Sequence, residues 1–416
     1  MLQTRPATAL VVTQHYWPEP IGSAPYCTDM VERLAGHADV TVFTCTPHYP
    51  AGDATAGETS AQAGAAQRGR ATVMRVAAPR AARRGVAGRI AADAAYFCQG
   101  VFALLRRRIR RADVVVSLCP SILTVLLGAL VKRRAGRHVA VVHDIPSGLA
   151  GGLGMVGSAR LVAAMRRIEA AVLNRADAIL VLSQNMRRRL EAQGVKRPIE
   201  ILPIWVDTES ICPMDRPPDQ VTTVLYSGNF GRKQALGQVI DMAERLERRG
   251  VAVDVVLRGA GSEAKALAED VATRGLSFVR FAPLVRADGL AETLAQGDIH
   301  LVPQAPNAAD FSVPSKVFSI MAAGRPFVAA APSGSLLWDL KSQSRAFLCV
   351  PAGDGAALSE AVQRLVRDPI LRAELGLNGR RYVTLHHDKA RILERFVSIV
   401  RDFEAGRTCR PSVRTS

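Results

Sequence analysis

The sequence predicts two doubly wound α/β domains in tandem. Three observations carry this. Val-rich apolar runs of four to seven residues alternate with longer stretches of helical period, the pattern of parallel strands buried on both faces. The alternation is interrupted at residues 201–220, "ILPIWVDTESICPMDRPPDQ", where four prolines fall and no helical period survives, and then it restarts. The chain has 416 residues, too many for one ordinary core and enough for two.

Taken in order, "TALVVTQ" (8–14), "DVTVFTC" (39–45), "ATVMRVA" (71–77), "ADVVVSLC" (112–119), "HVAVVHD" (138–144) and "ADAILVLS" (176–183) read as strands. The polar, Gly/Ala-rich stretch 51–70 reads as a loop. "APYCTDMVERLAG" and "SQNMRRRLEAQGV" have helical period. After the break, "VTTVLYSGN", "VAVDVVLRGAGSE", "LSFVRFAP", "DIHLVPQ", "GRPFVAAAP" and "AFLCVPAG" are the second set of strands. "ALGQVIDMAERLERRG" is an amphipathic helix stopped by Gly250. "DGAALSEAVQRLVRD", "DPILRAELGLNGRRYVTL" and "KARILERFVSIVRDFEAG" are late helices. The expected organisation is a first domain over 1–204, a linker over 205–220, a second domain over 221–385, a terminal helix over 386–406 and a tail over 407–416.

Hydrophobic residues make up 48% of the chain, which excludes global disorder. A formal net charge of +17 favours anionic partners: nucleotides, phosphates or an anionic membrane face. Nucleic acid is disfavoured, because no recognition motif is present and aromatics reach only 5%. The seven cysteines are scattered without metal-ligand spacing and read as reduced core residues. The apolar run near the N-terminus is too short for a signal peptide. The longest apolar stretch elsewhere, "SILTVLLGALV", has 11 residues, against about 20 needed to span a bilayer. A soluble or peripheral protein on the cytoplasmic side is expected. Three runs that mix arginines with apolar residues, "LLRRRIRR", "VKRRAGR" and "MRRIEAAVLNR", offer a basic surface to anionic lipid headgroups.

In doubly wound sheets, ligands bind at the carboxyl ends of the strands, so with two facing domains the cleft between them is the expected site. One strand of the second half runs into Gly228, Asn229, Phe230, Gly231, Arg232 and Lys233. Glycines let a backbone approach a ligand, and adjacent cations suit a phosphate or diphosphate. A neighbouring strand ends in Gly259 and Gly261. A third is followed by Pro314, Ser315 and Lys316, which puts a lysine on the first turn of a helix, where the helix dipole disfavours a cation unless an anion is bound. In the first half, "YWPEPIGSAPY" places Gly22 and Ser23 before a helix without the GxGxxG dinucleotide fingerprint. "HDIPSGLAGGLG" sets His143 and Asp144 at a strand end before a loop rich in glycine.

In this order, "YWPEPIGSAPY", "VVHDIP", "ADAILVLSQNMRRRLEAQGV", "ILPIWVD", "LYSGNFGRKQAL", "LRGAGSE" and "VPSKVFSIMAAGRPFVA" resemble the family 4 glycosyltransferases of GT-B fold over nearly the whole chain. Within the family, "YWPEP", "YSGNFGRKQ" and "PSK" resemble the branch typified by the colanic acid fucosyltransferase. The resemblance implies a GT-B architecture, two Rossmann-like domains facing across a cleft, with the last helix crossing back onto the first domain. It implies retaining transfer, without a metal or other cofactor, from a GDP- or UDP-linked sugar donor held mainly by the second domain. Arg232 and Lys233 would hold the donor diphosphate, with Gly228, Asn229, Gly231 and Gly259 lining it. Lys316, after Pro314 and Ser315, would lie near the nucleotide's phosphate or ribose. Gly22 would bring first-domain backbone to the diphosphate, and Asp144, with His143, would face the sugar or the acceptor hydroxyl.

The sequence departs from the family's pattern at its Glu-x7-Glu motif. Phe311 and Ser319 stand at the two carboxylate positions, so Ser319 offers a shorter hydroxyl where a ribose-binding Glu is usual. The leading expectation is transfer to a lipid-linked acceptor in surface-polysaccharide assembly, at the inner face of the membrane. The rival readings are a GT-B epimerase or phosphorylase, and a catalytically silent nucleotide-binding scaffold subunit.

Overall fold

The computed structural model describes residues 7–19, 22–47, 64–78, 85–119, 121–148, 158–215, 221–285, 289–306 and 314–404. Phe311, Cys409, the tail, residues 51–63 and the glycines of 149–157 lie outside them. The chain divides into two compact units, Met1–Pro203 with Arg391–Ser416, and Ile204–Ala390.

The first unit runs β1 (Thr8–Val12), α1 (Ala24–Leu34), β2 (Asp39–Cys45), β3 (Gly64–Arg68), β4 (Ala71–Val76), α2 (Gly85–Leu105), β5 (Ala112–Cys119), α3 (Ile122–Val131), β6 (Lys132–Val142), α4 (Ala159–Leu173), β7 (Ala178–Val181), α5 (Gln184–Ala192) and β8 (Ile199–Ile201). Its strands order as β3-β4-β2-β1-β5-β6-β7-β8. Every pairing is parallel except β3 with β4. Leu10, Val12, Phe43, Val115 and Leu127 pack around Tyr96 of α2. The Tyr96 hydroxyl lies 2.9 Å from the carbonyl oxygens of both Thr13 and Phe43, so this buried phenol ties two strand ends together.

The second unit runs β9 (Thr222–Asn229), a 3-10 turn (Arg232–Gln234), α6 (Gly237–Arg248), β10 (Val253–Ala260), α7 (Ala264–Arg274), β11 (Val279–Ala282), α8 (Leu290–Ala295), β12 (Ile299–Pro303), α9 (Lys316–Ala322), β13 (Phe327–Ala331), α10 (Leu336–Ser344), β14 (Leu348–Pro351), α11 (Gly355–Arg367) and α12 (Pro369–His386). Its order is β11-β10-β9-β12-β13-β14, all parallel. Val224, Tyr226, Val255, Leu257 and Leu301 pack on Val239, Ile240 and Leu246 of the amphipathic α6. Asp368 caps α12 through Leu371 N at 2.8 Å, with Pro369 at the first helical position where no amide partner is needed. The last helix, α13 (Lys389–Glu404), belongs to the first unit from Arg391 onward. Residues 204–215 belong to the second unit, where Arg380 donates to the carbonyls of Thr208 and Ile211.

Two sequence expectations change. The stretch 51–70 is not all loop, because Gly64–Arg68 is a strand closing a hairpin on β4. Its exposed, Ala-rich face carries no apolar alternation that could have revealed it. The run "VKRRAGR" joins the end of α3 at Val131 to the start of β6 at Lys132. Cys98 and Cys212 are exposed, unlike the buried Cys27, Cys45 and Cys119. Among the described residues, no helix is long and apolar enough to cross a membrane.

Candidate active site

Both sheets reverse their strand order once, between β1 and β5 in the first unit and between β9 and β12 in the second. Crevices at the carboxyl ends of such switch points are where doubly wound sheets take ligands.

In the second unit, β9 and β10 bring two glycines side by side, Gly228 opposite Gly259. They serve different ends. A Cβ on Gly259 would lie 1.9 Å from the Gly228 carbonyl oxygen and 2.5 Å from the Phe230 ring, so Gly259 is required by the protein's own packing. Gly228 has φ +150° and leaves room, since a Cβ there would find Tyr226 Oη at 3.4 Å and Lys316 Nζ at 3.7 Å. Gly261 is closed off by the Phe230 carbonyl. Past the strand, Phe230 N donates to Ala260 O at 2.8 Å and Glu263 N to Phe230 O at 2.9 Å, which fixes the turn.

The turn delivers Arg232 and Lys233. The Arg232 side chain is 90% exposed, with Glu263 3.8 Å away. A pair so solvated holds it loosely. The Lys233 carbonyl accepts from Ala305 N at 2.8 Å, which ties the turn to the end of β12.

Lys316 is the first residue of α9 and is no surface cation at its tip. Its Nζ is buried, lies 3.9 Å from the centre of the Tyr226 ring and has no hydrogen-bond partner among the described residues. Burial lowers its pKa to about 7, because a desolvated ammonium is disfavoured. The Tyr226 hydroxyl is itself committed to Asn229 O at 2.7 Å. Ser319 sits one turn further along α9, partly exposed, and Pro314 and Ser315 precede it, also partly exposed. Gln234 and Gln304 each leave a buried side-chain oxygen without a partner among the described residues. Sequence reading missed Tyr226 and these two glutamines. A tyrosine inside an apolar strand gives no sign that a lysine will lie on its ring.

In the first unit, Gly22 has φ +72° and, among the described residues, nothing within 4 Å of a would-be Cβ, just before α1. His143 follows β6 and is buried, with Tyr26 of α1 edge-on at 5.7 Å and no partner for its Nε2 among the described residues. Burial depresses its pKa to about 4, so it is neutral at physiological pH. Asp144 is half-buried beside it. Nearby, Glu169 of α4 is buried and accepts from both N and Oγ of Ser147. Its pKa is raised by burial, against the hydrogen bonds that favour the carboxylate. Tyr26 thus brings the Gly22 turn and the His143–Asp144 strand end together, and the second unit separately gathers Gly228, Asn229, Gly231, Arg232, Lys233 and Lys316 around its switch point.

Two doubly wound α/β units, the second with glycines and cations at its switch point, have the architecture of the GT-B fold. Comparison with known proteins makes the family explicit. A glycosyl transferase 4-like domain model matches residues 22–205, and a glycosyl transferases group 1 model matches 221–368. The chain is 29% identical to the putative colanic acid biosynthesis glycosyl transferase WcaI of Escherichia coli K12 over 416 aligned residues, covering 94% of this chain and 99% of that one. Among solved structures, it is similar to a sucrose-phosphate synthase from Thermosynechococcus elongatus, with a TM-score of 0.72 at 18% identity over 97% of this chain and 100% of that one. It is also similar to HepE of Anabaena in complex with UDP-glucose, with a TM-score of 0.69 at 16% identity over 95% of this chain and 100% of the other. The chain belongs to the family 4 glycosyltransferases of GT-B fold.

Proposed function

We propose that this glycosyltransferase moves a sugar from a nucleotide diphosphate to a lipid-linked glycan acceptor in surface-polysaccharide assembly, with retention and without a metal. The observation that carries the reading is the buried amine of Lys316, which has no hydrogen-bond partner among the described residues and lies 3.7 Å from where a Cβ on Gly228 would sit. A buried cation without a counter-ion is costly in a resting protein, and a phosphate would supply the missing partner. Relatives point the same way, since WcaI is named for colanic acid biosynthesis and HepE was solved with UDP-glucose.

In this reading, departure of the sugar loads negative charge onto the leaving diphosphate. Lys316, Arg232 and Lys233 meet that charge. Donors already in place stabilise it more in the transition state than in the ground state. The same three cations take the part a metal would otherwise play, so chelators leave turnover unchanged. Ser319 hydrogen-bonds the ribose less firmly than a carboxylate. His143, neutral, donates to or accepts from a sugar hydroxyl, and Asp144 faces the acceptor. Exposed Leu161 and Ile168 on α4, flanked by Arg160, Arg166 and Arg167, and exposed Phe102 and Leu105 at the end of α2 beside Arg106 to Arg108, give the basic apolar surface that suits anionic lipid.

A binding screen of GDP- and UDP-linked sugars, then transfer to membrane extracts with the best binder, tests the reading. Arg232→Ala and Lys233→Ala should each lower turnover by about 10²-fold, the scale for removing one charge-stabilising donor. Activity within a few-fold of wild type in both would overturn the assignment. Anomeric NMR of the product checks retention, and sedimentation with and without anionic vesicles checks the membrane contact.

A further inference from the structure

The first unit holds a cluster that the proposed chemistry does not use. Arg75, near the end of β4, is only 5% exposed, and Tyr16, just after β1, only 2%. Arg75 makes one hydrogen bond, from Nη2 to the Trp17 carbonyl at 3.0 Å, and its Nε has no partner among the described residues. The Tyr16 hydroxyl and the Nε of Arg68 are likewise buried and unpartnered. Both guanidinium carbons lie against one indole, Arg68 at 4.2 Å and Arg75 at 5.8 Å from the Trp17 ring. Arg68 has a carboxylate at 3.0 Å, that of Glu32 on α1. Arg75 has none within ion-pair distance among the described residues.

This is an anomaly with a direction. A guanidinium has only donors, and a phenol is a ready one. Three N–H or O–H groups of this cluster therefore have no acceptor among the described residues. Buried arginines ordinarily meet a carboxylate. Burial lowers the pKa of Arg75, with Tyr16 opposing the effect and Arg68 adding to it, and no carboxylate among the described residues pairs with it. The missing component is an oxyanion. Trp17 is half-buried and the Arg68 side chain is 27% exposed, which leaves the cluster within reach of a ligand.

We infer that Tyr16, Trp17, Arg68 and Arg75 form a subsite for an oxyanion carried by the acceptor, either a phosphoryl group at its lipid end or the carboxylate of an acidic sugar. The acceptor role rests on the glycosyltransferase reading above; the anion site itself stands on the cluster. Planar guanidiniums present paired N–H donors to two oxygens of such a group, and Trp17 holds them in orientation. The cluster belongs to the first unit, and Lys316, Arg232 and Lys233 belong to the second.

The test uses full-length protein labelled with 5-fluorotryptophan, the Trp17 fluorine resonance being assigned through Trp17→Phe. Inorganic pyrophosphate and methyl glucuronide are titrated in separate arms. The Trp17 signal should shift saturably with one of them, and which one names the source of the anion. Arg75→Met and Arg68→Gln should each weaken that response at least tenfold. Lys316→Met should leave it intact while losing UDP and GDP binding, so the two sites fail independently. Arg75→Met should melt at or above the wild-type temperature, because an unpaired buried charge has been replaced by a thioether of similar reach. A Trp17 resonance indifferent to both probes would overturn the site. So would an Arg75→Met protein that binds as wild type, or one that melts far lower while Arg68→Gln binds normally, since Arg75 would then be a structural arginine.

Discussion

The carboxyl edges of the two sheets share a topology and differ in what fills them. In the second unit the edge is glycine against glycine, with one buried lysine lying on a tyrosine ring. In the first unit the described edge has the Gly22 turn, a neutral buried histidine and two arginines against an indole. The first pattern offers backbone at the edge, and the second offers side chains. The contrast also separates two kinds of glycine. Gly259 is closed in by the protein, and a Cβ on Gly22 would meet nothing within 4 Å among the described residues. Only the second kind leaves room for a ligand at its own backbone.

The glycine contrast gives the largest expected effect. Gly259→Ala sets a methyl 1.9 Å from a backbone oxygen and 2.5 Å from an aromatic ring, neither of which can yield cheaply. The variant should fail to fold its second unit, seen as loss of cooperative melting. Gly22→Ala should keep its fold and lose only about 1–2 kcal/mol, the strain of a left-handed backbone for a residue with a Cβ. Equal losses in urea titrations of the two variants would erase the distinction.

Lys316 comes next. Lys316→Met should lower turnover by about 10²-fold or more, and its pH behaviour separates a phosphate-binding amine from a merely buried one. The folded pKa is depressed, to about 7 from 10.5. Its contribution to stability is therefore fully present above about pH 10.5 and is lost as pH falls through about 7. Wild type should gain stability between pH 7 and 10 relative to Lys316→Met. A phosphate instead selects the charged amine, so nucleotide diphosphate affinity should fall by roughly tenfold per unit above pH 7, reflecting uptake of one proton. Lys316→Arg, always charged, should flatten that slope. Calorimetry in two buffers of different ionisation heat measures the proton directly.

The smallest effect is shared by the two units. His138 and His143 in the first, and His300 and His387 in the second, are buried, and desolvation depresses each pKa to about 4. A depressed histidine contributes stability that is present above about 6.5 and lost as pH falls through about 4. Melting temperature should decline across that window in both units. Replacing His143 alone should soften only the decline of the first, a difference that calorimetry of the two transitions would resolve.

Much of the fold was legible because parallel strands buried on both faces must be continuously apolar, and "TALVV" or "FVAAA" admit few other readings. Strand β3 was not, because an exposed edge strand needs no apolar face. The glycines, Lys316 and the His143–Asp144 pair could be picked out as residues after strands, since carboxyl edges are where such sheets take ligands. What the sequence could not convey was environment. Nothing local distinguishes Gly259 from Gly228, or shows that Lys316 turns inward onto Tyr226. Nor does the chain order reveal that Arg75 will share an indole with Arg68 beside Tyr16.

By itself, then, the sequence determined the alternation of strands and helices, the break near residues 201–220 and the family, all of which follow from periodicity and short-range motifs. Only the tertiary structure decided which cations are buried without a partner. Desolvation and the lack of a counter-charge depend on what packs around a residue from distant parts of the chain, and they govern its charge, its pKa and its appetite for an anion.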